Sequence, residues 1–358
     1  MAYTTINKST EHFNTTTWTG DSTTPKTFTT GTFKPDLLWG KIRSQAYNHQ
    51  LFDTTRGAGS DKELVTSQSG AEGASNGEVY GYVSAFTSTG FTFTKGSDSA
   101  GYDYWNESPD KYVAWTWKAN GGTTSSNSDG SITSTVQANT TAGFSIVSFT
   151  GTGANGTVGH GLGAVPKMII QKNRSISAAW SVWHGSFTGA QVIYLNETGA
   201  VGSNTSSWNS TVPTASVFSV GTGSYPNGSG NTQIYYVFAE KKGFSKFGNY
   251  AGNGSAGNPP YIYTGFKPAF VMVKNTSQAD GWFMHDNKRD GYNDDNEYIF
   301  ANLSNAEGSN VNRIRFYSNG FSVPTADKSH NVDGNGYIYM AFAENPLVGS
   351  NNVPAVAR

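Results

Sequence analysis

The sequence predicts an all-β protein, a tandem array of three related antiparallel β-sandwich or jelly-roll-like domains. Three observations carry the prediction: a threefold internal repetition, a composition poor in helix formers, and short alternating segments separated by turn signals. The clearest repeated pair is Gly161 to Asn173 and Gly265 to Asn275, the latter reading Gly-Phe-Lys-Pro-Ala-Phe-Val-Met-Val-Lys-Asn, with a third copy at Gly31 to Arg43. Each copy closes on an aromatic strand, at Lys111 to Lys118, Ile234 to Glu240 and Tyr337 to Glu344. The openings also match: Phe13 with Trp18-Thr19-Gly20, Phe144 with Phe149-Thr150-Gly151, and more loosely Phe244 with Tyr250-Ala251-Gly252. The units span about 13–118, 144–240 and 244–344, each roughly 100 residues, the size of an independent domain rather than of a solenoid repeat.

Composition explains why strands are expected. Aromatics make up 14% of the chain and charged residues only 14%, against about 25% charged in an average soluble domain. Large rings must therefore build the cores, while abundant Ser, Thr, Asn and Gly compete with helical hydrogen bonding and suit strands and tight turns. In Phe144-Ser145-Ile146-Val147-Ser148-Phe149, Phe144, Ile146 and Ser148 share one face. Tyr337-Ile338-Tyr339-Met340-Ala341-Phe342 is apolar on both faces, which predicts a covered central strand. Asn155-Gly156, Asn227-Gly228, Asn319-Gly320 and Asp333-Gly334 supply turn signals that tolerate positive φ.

The predicted boundaries are an N-terminal β domain with an anchoring arm (1–120), a linker (121–142), a second β domain (143–243), a third (244–346) and a tail (347–358). Residues 120–130 contain no large apolar side chain and read as flexible. Lys241-Lys242-Gly243 is so short that the second and third units are expected to dock as a pair.

A formal net charge of −1 without a basic stripe argues against a nucleic-acid partner. No apolar run reaches the ~18 residues that span a bilayer, so membrane insertion is not expected, and Met1 to Asn7 does not read as a signal peptide. Cysteine is absent, so stability must come from cores and contacts between chains.

Candidate chemistry is sparse. Gly151-Thr152-Gly153-Ala154-Asn155-Gly156 has dinucleotide-fingerprint spacing, but Pro166 and three glycines follow where a helix would have to start, so a glycine-rich hairpin is expected and no cofactor. Gly73-Ala74-Ser75-Asn76-Gly77 has nucleophile-elbow spacing without the flanking strand and helix. His49, His184 and His285 fall at similar depths in their units, which reads as structural bonding of a turn rather than metal binding or catalysis. Asp286, Asp290, Asp294, Asp295 and Glu297 form an acidic loop that could hold a hard cation, although Lys288 and Arg289 offset it and a solvated loop is favoured. No catalytic set emerges, and the expectation is a non-enzymatic protein. The candidate ligand residues are aromatic: Trp180, Trp208, Tyr225 and Trp282 could form a stacking platform for a glycan. Trp208 leads because it has no tryptophan counterpart in the third unit, whereas Trp183 and Trp282 recur between units and read as core.

Thr140 to Val147, Gly151 to Gly163 and Tyr339 to Pro346, with Met1 to Lys8 and Tyr112 to Lys118, resemble a family of uncharacterised repeat-containing virion structural proteins of tailed bacteriophages of marine bacteria and cyanobacteria. The resemblance covers most of the chain. It implies a particle component, often encoded among tail genes, that partners other virion proteins of tail or capsid, and it carries over no catalytic or ligand residue. The expected role is a tail-associated appendage at the virion surface that contributes to host attachment. A head-decoration protein is the alternative, and a carbohydrate-binding module or polysaccharide depolymerase a third reading. A homo-oligomer and a host-surface glycan or receptor are the further partners expected. No heptad run that could build a fibre shaft is present.

Overall fold

A computed structural model describes residues 4–289, 293 and 296–348. The fold is all-β, with antiparallel pairing in every named sheet, and its repetition is topological as well as sequential. Each unit has an opening strand (Phe13–Thr19, Phe144–Thr150, Ser245–Ala251) and a closing strand (Lys111–Trp117, Thr232–Phe238, Gly336–Pro346). Between them in sequence lie a middle strand (Leu37–Ile42, Met168–Asn173, Phe266–Asn275) and a flank strand (Gln50–Asp53, Ser181–His184, Trp282–Asp286). The spatial order is opening, closing, middle, flank in all three units.

Register fixes the equivalences. Leu37 lies opposite Trp117 and Asp53, Met168 opposite Phe238 and His184, and Phe270 opposite Phe342 and Asp286. Ser245, not Phe244, therefore takes the place of Phe13 and Phe144, because it is the residue opposite Phe342. Trp183 and Trp282 are not equivalent either, since Trp183 faces Ile169 while Trp282 faces Lys274. The true counterparts are His49, Trp180 and Trp282, each four residues before the flank-strand residues Asp53, His184 and Asp286.

Because side chains alternate across a strand, each large sheet has two apolar faces to cover. The outer face is covered locally. In the first unit Leu38, Phe52 and Ala114 meet Phe28, Val83, Phe91 and Phe93 of a small three-stranded sheet, with Trp105 between them. Gly40 makes room for that indole, since a Cβ there would stand 2.3 Å from the Trp105 ring. In the third unit Val271, Val273 and Tyr339 meet Ile262, Phe321 and Ile314. In the second, Tyr235 stacks on Phe218 at 4.7 Å, and Trp208 closes over it at the end of the short helix Thr205–Trp208.

The inner faces have only one another. Trp117, Phe238 and Phe342, the equivalent last inward rings of the closing strands, form a triangle with centroid separations of 6.4, 5.7 and 6.0 Å. One hydrophobic core runs through all three units around it. The three sandwiches are thus not separate domains on a string, and the second and third do not form an isolated pair. The reason is the pattern of the closing strands, which are apolar on both faces while each unit's small sheet covers only one.

Contacts between units repeat around the same axis. Trp180 Nε1 donates to Val65 O at 3.0 Å, Trp282 Nε1 donates to Tyr194 O at 3.0 Å, and His49 Nε2 lies 2.7 Å from Phe300 O. The second unit grips the first, the third grips the second, and the first grips the third. Asp53 takes the Tyr236 hydroxyl at 2.7 Å and Asp286 the Trp115 indole N–H at 3.0 Å, each carboxylate also bound to an arginine three residues on, Arg56 or Arg289. Glu72 joins Arg56 to Arg174, and Glu307 joins Arg289 to Arg43. At the third such contact Val201 replaces the glutamate and only its backbone N–H bonds Thr276 O, at 3.0 Å.

The span 121–142 is not a linker. Ser125–Asn127 and Ser134–Asn139 are strands added to the free side of the second unit's opening strand, with Ala138 opposite Ser145 and Gln137 opposite Ile146. Edge pairing satisfies these backbones without a run of apolar residues, and the buried apolar anchors are Ile132, Val136 and Ala142. Of the four Asx-Gly signals, only Gly334 has positive φ, at 71°. Gly156 and Gly320 instead open strands, and Gly228 follows the short helix Ser224–Asn227.

Candidate functional site: an exposed tyrosine patch

Three of the four predicted glycan-stacking residues belong to the interior. Trp180 and Trp282 are the buried inter-unit grips, and Trp208 is the buried lid of the second unit's outer core. Their planar apolar bulk is used to fill space between sheets, which removes them from any surface. Tyr225 is 40% exposed, but its three proposed companions lie in the core, so no platform forms around it.

The remaining motifs also resolve into scaffold. In Gly151 to Gly156, the Thr152 amide donates to Asn227 Oδ1 at 2.9 Å and the chain continues into the strand Gly156–Gly159, which pairs with Val217–Val220 in a different sheet, so the segment is a loop between sheets, neither the expected hairpin nor a phosphate-binding helix start. Ser75 lies beside Glu63 and Tyr104 rather than an imidazole. Of the acidic loop, Asp290, Asp294 and Asp295 lie outside the described residues. Asp286 is paired with Arg289, and Glu297 with Arg43 at 2.5 Å. Burial and the neighbouring Glu307 push the Glu297 carboxyl up to about 7. Among the described residues no group of three or more His, Asp or Glu side chains is arranged to hold a metal ion.

The histidines are buried and bonded, though not at one shared position. His184 takes the place of Asp53 and Asp286, whereas His285 lies opposite Val271 and pairs with His330 at 3.1 Å between Nε2 atoms. His49 has a tautomer set by geometry. Trp39 Nε1 donates to its Nδ1 at 2.8 Å, so Nε2 must carry the proton directed at Phe300 O. Protonation would set two donors face to face, and burial is the larger cause that lowers this ring to about 3. The folded pKa lies below the unfolded value of about 6.5, so the unfolded chain binds more protons between those limits. This ring's contribution is intact above about 6.5 and is lost as pH falls, by about 1.4 kcal/mol per pH unit. In an NMR titration the His49 ring resonances are expected to hold their neutral positions down to about pH 4. Titration near 6.5 would refute the assignment.

Three buried lysines at one repeated strand position, Lys41, Lys172 and Lys274, were not legible as structural groups. Lys172 Nζ donates to Ser69 O and Ala178 O at 2.9 and 2.7 Å, and Lys274 Nζ to Thr198 O and Asp280 O at 2.9 and 2.8 Å. Burial lowers Lys41 and Lys172 to about 7 and Lys274 to about 8. The carbonyls that Lys172 and Lys274 reach include one from the preceding unit, so each ammonium ties two units together.

The exposed aromatics are elsewhere. Tyr261, Tyr263 and Tyr317 are 49%, 54% and 39% exposed on the outer sheet of the third unit. Tyr261–Tyr263 pairs with Gly320–Ser322, which pairs in turn with Arg315–Tyr317. Tyr263 and Tyr317 both lie opposite Gly320, and the Tyr261 and Tyr317 rings meet edge to face at 5.6 Å. A Cβ on Gly320 would stand 2.2 Å from Ile262 O and 2.8 Å from the Tyr261 hydroxyl, so the close approach of the two strands requires glycine there. Beneath, Ile262 and Phe321 fix the sheet in the core. The sequence signal was Tyr-Ile-Tyr at 261–263, whose alternation turns both tyrosines outward once Ile262 is inside. The second unit's outer sheet carries only Phe218, which is buried, so the patch is not part of the repeat.

A family model described as a domain of unknown function (DUF7483) matches residues 8–346. No curated protein and no solved structure matches the chain. Among the described residues no helix is long and apolar enough to cross a membrane.

Proposed function

We propose that this chain, which belongs to the DUF7483 family, is a non-enzymatic structural protein of a bacteriophage virion, a tail-associated appendage at the particle surface that contributes to host attachment. The resemblance of its repeated segments to virion proteins supports the particle assignment. The tyrosine patch carries the host-contact part. Phenols offer flat apolar faces with polar tips, the chemistry that stacks on sugar rings while hydrogen-bonding their hydroxyls. A patch on the outer sheet of a body whose other large rings are mostly committed to cores is a surface for recognition rather than for folding.

Imaging of intact particles tests the assignment: a small number of copies at the tail supports it, whereas copies in the hundreds over the head overturn the tail placement. The second outcome has its own physical support, because a body of three units repeating about one axis suits a three-fold position of a capsid lattice. For the patch, Tyr263→Ala is expected to weaken adhesion to host-surface polysaccharide at least about fivefold, roughly 1 kcal/mol. Folding stability should change by no more than about 0.5 kcal/mol, since the ring is exposed. Adhesion unchanged in a Tyr261, Tyr263 and Tyr317 triple alanine variant would remove the patch from the proposal.

A further inference from the structure

The pseudo-three-fold arrangement creates a cleft on the free side of each opening strand, where the next unit's flank-strand turn approaches, and the three clefts are finished differently. Between the second and first units the cleft is filled. Ser134–Asn139 adds to the opening strand Phe144–Thr150, and Gln137, opposite Ile146, turns its side chain into the turn of the first unit. Its Nε2 donates to Thr54 Oγ1 at 2.9 Å and Thr55 Oγ1 at 3.0 Å, and its Oε1 accepts from the amides of Asn120 and Gly122 at 3.2 and 2.9 Å.

Between the third and second units a cavity of about 260 Å³ remains beside His184, Ser186 and Phe247, but the strand edge next to it is locked. Lys246 Nζ donates to Glu240 Oε1 at 2.9 Å, and Glu240 Oε2 takes the backbone N–H of Phe247, the counterpart of Ile146, at 3.4 Å. A charged pair laid along an edge strand is a common way of denying that edge to another strand.

Between the first and third units neither device is present among the described residues. Asn14 stands where Lys246 would be, and Glu344, the counterpart of Glu240, is turned to Lys267 at 2.6 Å. What remains is a cavity of about 180 Å³ with a mixed lining, Phe13, Ala269 and Ala343 beside Thr15, Asn287 and Lys288. Asn287 and Lys288 are the counterparts of Thr54 and Thr55, the residues that Gln137 binds in the filled cleft. Asn287 Oδ1 and Thr15 Oγ1 are both buried here without a hydrogen-bond partner. Thr15 is the counterpart of Ile146 and Phe247, so the open cleft has a polar group where the filled and locked ones have apolar side chains. Unsatisfied buried polar atoms cost about 1–3 kcal/mol each and call for a partner.

We propose that this cleft receives an extended strand of a partner polypeptide, which pairs with the free edge of Phe13–Thr19 and places a glutamine opposite Thr15, its side-chain N–H groups on Asn287 Oδ1. The mode is β-augmentation, in which main-chain bonds supply affinity and one side chain in a pocket supplies selectivity. The chain's own Ser134–Asn139 shows which kind of segment fits: extended, uncharged and carrying a central amide. This inference stands independently of the virion assignment.

The test is fluorescence anisotropy of a labelled peptide with the core Ser-Thr-Val-Gln-Ala-Asn, titrated with the full-length protein. Saturable binding is expected, and proline in place of the glutamine should abolish it. Asn14→Lys, which imports the Lys246–Glu240 lock by offering Glu344 a partner, should weaken binding at least tenfold, while loss of the Asn14 Nδ2 bond to Thr30 O should lower the unfolding midpoint only slightly. If that variant folds poorly, Asn287→Leu serves in its place and should weaken binding by a similar factor. No binding up to millimolar protein, or equal binding by the wild type and both variants, overturns the proposal. So does self-association of the peptide-free protein that Asn14→Lys abolishes, which would assign the edge to a second copy.

Discussion

Trp117→Ala is expected to destabilise the whole chain, and not one third of it, by about 3–5 kcal/mol, the usual cost of removing a large buried ring. Trp117 touches Phe13 within its own unit, Phe238 of the second, and Phe270 and Phe342 of the third, at centroid distances of 5.1 to 6.4 Å. A cavity at that point removes packing from every inner sheet face at once. Denaturant unfolding followed by tryptophan fluorescence and by far-ultraviolet circular dichroism should show both signals shifting together. A variant in which one signal keeps the wild-type midpoint would mean that the units fold separately. Trp117→Phe makes a sharper comparison. Phenylalanine is what the two equivalent positions hold, and the Trp117 Nε1 is buried without a hydrogen-bond partner. The smaller ring leaves a smaller cavity and removes an unsatisfied donor, so its cost should fall well below that of alanine.

Arg56→Ala should be as damaging by a different route, about 3–5 kcal/mol, because it strands a buried carboxylate. Asp53 is fully buried and is bound by the Arg56 amide and guanidinium, the Thr55 amide and the Tyr236 hydroxyl of the second unit. Without the guanidinium the remaining neutral donors must hold a full charge out of water. The Asp53→Asn, Arg56→Met pair removes both charges together and is expected to cost less than Arg56→Ala alone, since a buried ion pair contributes little beyond an uncharged replacement. If the double substitution proved the worse of the two, the pair would be contributing net stability and this account would fail. The molecule contains its own precedent, because the third equivalent contact has His184, Phe187 and Met340 where the others have Asp, Arg and a phenol or indole donor.

The repeat, the strand content and the doubly apolar closing strands were all legible in the sequence, because strand periodicity and local composition are written in consecutive residues. Tyr337 to Ala343 reads as a covered strand and is one, buried throughout. The glycine-rich segment at Gly151 reads as a hairpin, but it is a loop between sheets, because the strand before it pairs with Thr232–Phe238 and the strand after it with Val217–Val220. The tryptophans show where local reading stops. Nothing in the neighbourhood of Trp180 or Trp282 says whether the ring faces solvent or another unit, and both are buried by residues more than 80 positions away, Val65 and Tyr194. The residues 121–142 fail for the complementary reason. They lack apolar bulk, yet they are held by backbone pairing to an edge that exists only after the second unit has formed.

The sequence by itself determined that the chain would form three similar two-layer β units, since alternation, turn residues and the choice of aromatics act within a few residues of one another. Only the tertiary structure decided that these units close on one another about a shared axis. Each large sheet has a second apolar face that its own small sheet cannot cover, and the partner for that face lies in the other two units. The same closure made the tryptophans internal, committed Asp286 and Glu297 to arginines, and left Tyr261, Tyr263 and Tyr317 facing outward. Among the described residues it also left one edge strand with neither a neighbour nor a lock.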